Sequence, residues 1–171
     1  VMAGASVVDV TAYGLGHEAG NASFEQVAFA LEYFYQIDTG IKLEEVYDFC
    51  KLVEKVFCVP IPKNAPIVGE HTATYGGLHY AYMRERPENW WAWERVKEGV
   101  INIPRKYIFG ATSVGRGVVG LKLKQMGLTA SEEQVRAIEA RVMEEIAGKR
   151  NPDCYIAEGD MERIIRQTLA R

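Results

Sequence analysis

Val7-Val8-Asp9-Val10-Thr11-Ala12-Tyr13-Gly14-Leu15-Gly16-His17-Glu18-Ala19-Gly20-Asn21-Ala22-Ser23 is the stretch from which the fold is read. A β-branched run enters it, three glycines turn it, and an amphipathic pattern leaves it, which spells strand, glycine turn and helix start. The glycines permit positive φ and let a ligand come close to the backbone. Ser23 with Gln26 three residues on reads as a capping box. The first backbone N–H groups of such a helix have no partner inside it and would face an anion above the strand end. On these features alone, a packing turn in an α/β protein is the commoner reading, ahead of a binding loop.

Working outward, the 171 residues could bury one sizeable core. They fall short of the roughly 250 that a complete (β/α)8 barrel takes. A formal net charge of −3, with basic residues clustered only at Lys122 and Lys124, leaves no footprint for nucleic acid. No apolar run reaches the ~20 residues needed to span a bilayer and no signal peptide is visible, so a cytoplasmic location and no membrane partner are expected. Cys50, Cys58 and Cys154 lack metal spacing and read as buried or incidental thiols. Gly4, in Val1-Met2-Ala3-Gly4-Ala5, has the look of a residue just past a helix end.

Apolar residues at Phe24, Val27, Ala28, Leu31, Phe34 and Tyr35 predict a helix on a core over residues 24–35. A second helix is predicted from about Leu43 to Phe57, with Val46, Phe49, Cys50, Val53 and Phe57 on one face. Pro60, Pro62 and Pro66 then break the chain into an extended connector. Farther on, a short helix is predicted over residues 117–126, the strongest helix over 131–147 after a Thr129 or Ser131 cap, and a last one over 160–169. Asn151-Pro152-Asp153 would end the long helix. The concentration of Trp90, Trp91 and Trp93 suggests a docking surface.

The loop Gly14-Leu15-Gly16-His17-Glu18-Ala19-Gly20-Asn21, with Ser23 and Glu25 following, resembles the eighth strand and loop of the pyruvate carboxyltransferase-like, or HMG-CoA-lyase-like, acyl-CoA aldolases. That group includes the isopropylmalate, homocitrate and citramalate synthases. Its usual loop has Glu and Arg where this sequence has His17 and Glu18. Gly69-Glu70-His71-Thr72-Ala73-Thr74-Tyr75-Gly76-Gly77-Leu78-His79 resembles a second family segment, whose last His reaches over the partner subunit's active site. Residues 106–116 resemble a third, and Trp90 stands about where the family has a Tyr implicated in catalysis.

The resemblance implies an α/β chain, mainly helical. Residues 1–36 would form the last strand and helix of a TIM barrel, 37–66 a helical linker, and 67–171 a C-terminal helical subdomain. It implies His79 and Glu70 as catalytic, Gly14, Gly16, His17, Glu18 and Gly20 as substrate-binding, and Asn21 as neighbour of a divalent metal (Mg, Mn or Zn). The implied reaction is a Claisen-type condensation of acetyl-CoA with a 2-oxo acid, in a homo-oligomer, most simply a dimer. The family's His-x-His metal motif and its first-strand Asp and Arg lie ahead of the matching region. We therefore expect the C-terminal part of a longer enzyme, or one subunit of a split one, inactive by itself. Imidazole suits His79's implied role because its ordinary pKa, about 6.5, lets it pass protons either way near neutrality. Three alternatives stay open: a non-catalytic docking module, a lyase of the HMG-CoA type (whose loop Cys is absent here), and His71 and His79 as polar residues satisfied by neighbours.

Overall fold

A computed structural model describes residues 1, 3–92, 94, 96–149 and 154–170, without the side chain of Arg84. The readings that fall on Met2, on Trp93 and on Asn151-Pro152-Asp153 lie outside those residues. The chain divides into two compact units, Val1–Ala73 with Val96–Pro104, and Thr74–Arg95 with Arg105–Arg171. The proline connector thus belongs inside the first unit.

In the first unit, helices α1 (Phe24–Phe29) and α2 (Leu43–Phe57) pack beside the glycine loop. Its core gathers Ala12, Val46, Cys50 and Val68, with Phe24, Val53 and Ile61 partly buried against them. Residues 7–11 form no ladder strand; their sole pairing is a parallel bridge from Thr11 to Ser23. A strand needs a neighbour to take its N–H and C=O groups, and here only Thr11 finds one, through Ala22 and Phe24 on either side of Ser23. The capping box at Ser23 also fails to form. The Gln26 N–H that the Ser23 hydroxyl would have taken goes instead to the Ser23 carbonyl (3.1 Å), while the Phe24 N–H is held by the Thr11 carbonyl (2.8 Å). Past Phe29 the helix widens into a π-type turn, Ala30–Phe34, closed by Tyr35 N–H on the Ala30 carbonyl. The wider turn carries the stripe out of register, so Ala28 and Phe29 are buried while Phe34 and Tyr35 are exposed.

The second unit is not purely helical. Three strands, β1 (Thr74–Gly76), β2 (Lys106–Gly110) and β3 (Tyr155–Ala157), make a sheet in that order, β1 parallel and β3 antiparallel to β2. Four helices accompany the strands, α3 (Gly77–Glu85), α4 (Arg116–Gln125), α5 (Glu132–Gly148) and α6 (Glu158–Leu169); α3, α5 and α6 pack on the sheet, and α4 packs on α3 and α5. The expected helical subdomain overlooked β2 because Lys106-Tyr107-Ile108-Phe109-Gly110 is short, yet its aromatic and β-branched centre is what a covered strand wants. Phe109, Tyr80, Ile138, Val142, Ile156, Met161 and Ile165 form the buried centre. Ser131 caps α5 through a complete capping box with Gln134. Lys122 is buried among these residues, its Nζ 2.6 Å from both Glu158 and Glu162 and 5.6 Å from the Tyr80 ring centroid. Burial would push its pKa down, but the two carboxylates outweigh it and hold the ammonium above its ordinary value.

Candidate functional site

The glycine loop is built on two backbone bonds, Thr11 N–H to the Ala22 carbonyl (2.9 Å) and Phe24 N–H to the Thr11 carbonyl (2.8 Å), which bring its entry and exit side by side. Between them Gly14 (φ 72°) and Gly20 (φ 94°) take left-handed backbone that side chains resist. Tyr13 is also left-handed, at φ 39°, a costly conformation for a residue with a Cβ. It is held there by Glu25, whose fully buried carboxylate accepts the Tyr13 N–H at 2.9 Å. The Tyr13 hydroxyl donates to the Val59 carbonyl at 3.0 Å.

Asn21 closes the loop from within, its amide nitrogen donating to the Glu18 carbonyl at 2.6 Å and more loosely to Gly14 at 3.4 Å. A Cβ on Gly16 would sit 2.4 Å from that nitrogen, so glycine is required there by close approach rather than by φ. Gly16→Ala is expected to push the Asn21 amide off its two carbonyls. The Asn21 side-chain amide resonances would then move toward those of an exposed amide, while stability falls by only ~1 kcal/mol, about one hydrogen bond. Unchanged Asn21 resonances would contradict this geometry. His17 and Glu18 are exposed on the loop's outer side. An apolar cleft of about 440 Å³ adjoins the loop, with Ala12, Leu15 and Gly16 on one wall and Phe49, Val53 and Phe57 of α2 on the other.

Beneath the loop Cys50 Sγ lies 3.9 Å from Glu25, and burial, reinforced by that carboxylate, pushes its thiol up to about 12. The thiolate is the reactive form. At pH 8, iodoacetamide is therefore expected to label Cys58 and Cys154, both exposed, and to spare Cys50 until the chain is unfolded. Mass spectrometry of the labelled peptides reads the outcome, and native labelling of Cys50 would contradict it.

In the second unit His79 stands in the first turn of α3. That helix can start so close to the turn after β2 because residue 77 is glycine; a Cβ there would lie 2.4 Å from the Ser113 carbonyl oxygen. The His79 ring stacks on Tyr75 of β1, centroids 4.2 Å apart and planes 14° from parallel. Facing Nε2 at 3.7 Å is Oε1 of Glu94, whose other oxygen is paired with Arg105. The Glu94 side chain is 1 % exposed, that of His79 13 % and that of Arg105 20 %, so the row is largely shielded from water. Burial lowers the His79 pKa below its ordinary 6.5; Glu94 raises it in part and Arg105 adds to the lowering. At neutral pH the ring is a neutral base.

Glu70, the other residue expected in catalysis, belongs to the first unit, in a 3-10 turn where Lys63 lies 3.9 Å from its carboxylate. The carboxylate beside His79 is Glu94, which sequence reading missed, as it missed Arg105. Eleven positions separate them, on segments with no periodicity to mark a pair. Among the described residues no group of three His, Cys, Asp or Glu side chains could hold a metal ion. Asn21 offers one neutral oxygen, which by itself does not fit a divalent cation.

The glycine loop with its apolar cleft lies in the first unit, and the shielded imidazole on its carboxylate lies in the second. The HMGL-like family model matches residues 1–53, and similar curated proteins cover the chain from end to end. The chain belongs to the HMGL-like family. Within it, the chain is 34% identical over 173 residues to the (R)-citramalate synthase CimA of Methanocaldococcus jannaschii, covering 100% of this chain and 33% of that protein. It is 36% identical over 145 residues to the "Probable 2-isopropylmalate synthase" of Methanopyrus kandleri, 84% of this chain and 28% of that one. It is 30% identical over 167 residues to the homocitrate synthase AksA of Methanothermobacter thermautotrophicus, 97% and 41%. The chain spans about a third of the length of the citramalate synthase it matches. No helix among the described residues is long and apolar enough to cross a membrane.

Proposed function

We propose that this chain serves an acyl-CoA synthase that joins acetyl-CoA to a 2-oxo acid, supplying the substrate-facing glycine loop and the proton-transfer residue His79. The observation that carries the reading is His79 itself, a shielded neutral imidazole on a carboxylate, in the segment that resembles the synthases' own histidine segment. The names of the similar proteins, all condensing synthases, support the reaction class. In the condensation a base takes a proton from the acetyl methyl group, and hydrolysis of the thioester pulls the reaction forward. His79 is suited to move that proton, and Tyr75 and Glu94 keep its ring in one plane. The divalent metal rests on the family resemblance alone. Among the described residues no set of side chains forms its site.

The chain is further proposed to act as a homo-oligomer, with His79 serving the partner's active site. Exposed Leu52, Val56 and Phe57 on α2 of the first unit, and separately exposed Trp91 of the second, are apolar surface of the kind such an assembly would cover. A thiol-release assay with acetyl-CoA, a divalent metal and a panel of 2-oxo acids tests the proposal. The chain alone is expected to release no CoA, and the chain fused to the amino-terminal two thirds of the M. jannaschii citramalate synthase is expected to release it with at least one acid. Turnover by the chain alone, or none by a folded fusion, would overturn the division of labour.

A further inference from the structure

The buried row Tyr75, His79, Glu94 and Arg105 holds more than the proposed reaction uses. Its outer pair is Glu94, which faces the His79 ring, and Arg105, which is paired with Glu94. A carboxylate 1 % exposed is costly to bury unless a charge partner comes with it, and Arg105 provides one on Oε2. That leaves Oε1 turned to His79 Nε2 at 3.7 Å, one small ring movement from a charge-assisted hydrogen bond. The opposite constraint comes from β1, where Tyr75 stacks on the ring face and blocks rotation about the side chain's last bond.

We propose that Glu94, clamped by Arg105, is the positioning residue for His79: it faces Nε2, fixes the plane and proton placement of the imidazole, and with Arg105 sets how strongly the ring holds a proton. This rests on the reading of His79 as the proton-transfer group, but the geometric claim is separable from it. Among the described residues, the groups at the ring include Tyr75 from β1, Glu94 from the segment after the 3-10 turn Pro87–Ala92 and, paired with Glu94, Arg105 from the residue preceding β2. Removing either charged group therefore shifts the ring's titration in opposite directions. Loss of the Glu94 charge withdraws what favours the protonated ring, and loss of Arg105 withdraws what opposes it.

The test is a proton-NMR titration of the histidine rings in the 171-residue chain, with His17→Gln and His71→Gln made in the background so that one ring remains. Stacking on Tyr75 should place the His79 ring protons upfield, and Tyr75→Leu should return them, confirming that the native ring is being read. Glu94→Gln is expected to lower the His79 midpoint by ~0.5–1 pH unit and Arg105→Gln to raise it by a similar amount, with Arg105→Lys restoring it close to the parent value. Shifts of one sign in both variants, or none in either, would overturn the proposal. If Glu94→Gln does not fold, Arg105→Gln decides alone: a raised midpoint supports the clamp, and an unchanged or lowered one refutes it. Activity is not among these readouts. Opposed shifts here, with full turnover in a His79→Ala complete enzyme, would sink the catalytic reading and leave the positioning geometry standing.

Discussion

His79→Ala in the complete enzyme is expected to lower turnover by ~10²- to 10⁴-fold, the usual worth of a positioned general acid or base. The loss should fall on kcat, because a group that moves a proton in the transition state need not hold the substrate in the ground state. The His79 pKa lies below the ordinary 6.5, so the parent enzyme should keep its rate at neutral pH and lose it on an acid limb below that value. The same shift has a consequence for stability. The unfolded chain takes up a proton at this ring sooner than the folded chain does, so the contribution is full above 6.5 and is lost as pH falls through the lowered folded value. His71→Ala is the control. It belongs to the 3-10 turn of the first unit, where its N–H donates to the Lys63 carbonyl at 2.8 Å, and the rate per folded molecule should not change. If the His71 change proves the more damaging to rate, the family segment has been set on the wrong histidine.

Phe109→Ala is expected to have the largest effect on stability. The ring is fully buried at the centre of the three-stranded sheet, edge-on to Tyr80 at 5.5 Å, and also fixes how near Gly77 can come. Emptying such a site costs ~3–5 kcal/mol, a large fraction of what holds a unit of this size together. Trp90 and Trp91 both lie in the second unit, so urea unfolding followed by their fluorescence reads that unit in particular. The midpoint should fall sharply in Phe109→Ala. A loss under 1 kcal/mol would mean that β2 is not the centre of the core.

Elements with a full helical period were legible in the sequence. The helix α2 has the bounds that its stripe predicts, and α5 begins at one of the two expected caps, Ser131, and buries Ile138, Val142 and Ile146. What escaped reading has a physical cause in each case. Strands β1 and β3 have three residues each, too few for alternation to be seen, and β2 earns its place through Phe109 and long-range partners rather than through a pattern. The π-type turn at Ala30–Phe34 leaves no mark in composition, yet it turns Phe34 and Tyr35 outward. Residues 7–11 carry a strand's residue types, but pairing belongs to two segments and cannot be read from one.

The site divides in the same way. Three glycines and an asparagine announced a loop, and the structure gives Gly14 and Gly20 their positive φ and Gly16 its contact with Asn21. Glu25 was visible as part of the motif, but its grip on the Tyr13 N–H was not, since a buried carboxylate twelve positions away looks like any helix-start acid. Glu94 and Arg105 became a pair only through the fold.

The proposal that His79 serves a partner subunit's active site is tested most directly by mixing. Subunits of the complete enzyme carrying His79→Ala are combined with subunits whose metal ligands have been removed, each inactive alone, and CoA release is followed after exchange. If the site is shared, one sound centre can be assembled from two defective chains, and activity should return to about a quarter of the parent's per active-site pair on random pairing. If none returns although mixed dimers are shown to form, His79 does not act across the subunit boundary, and its row with Tyr75, Glu94 and Arg105 does not complete a partner's site.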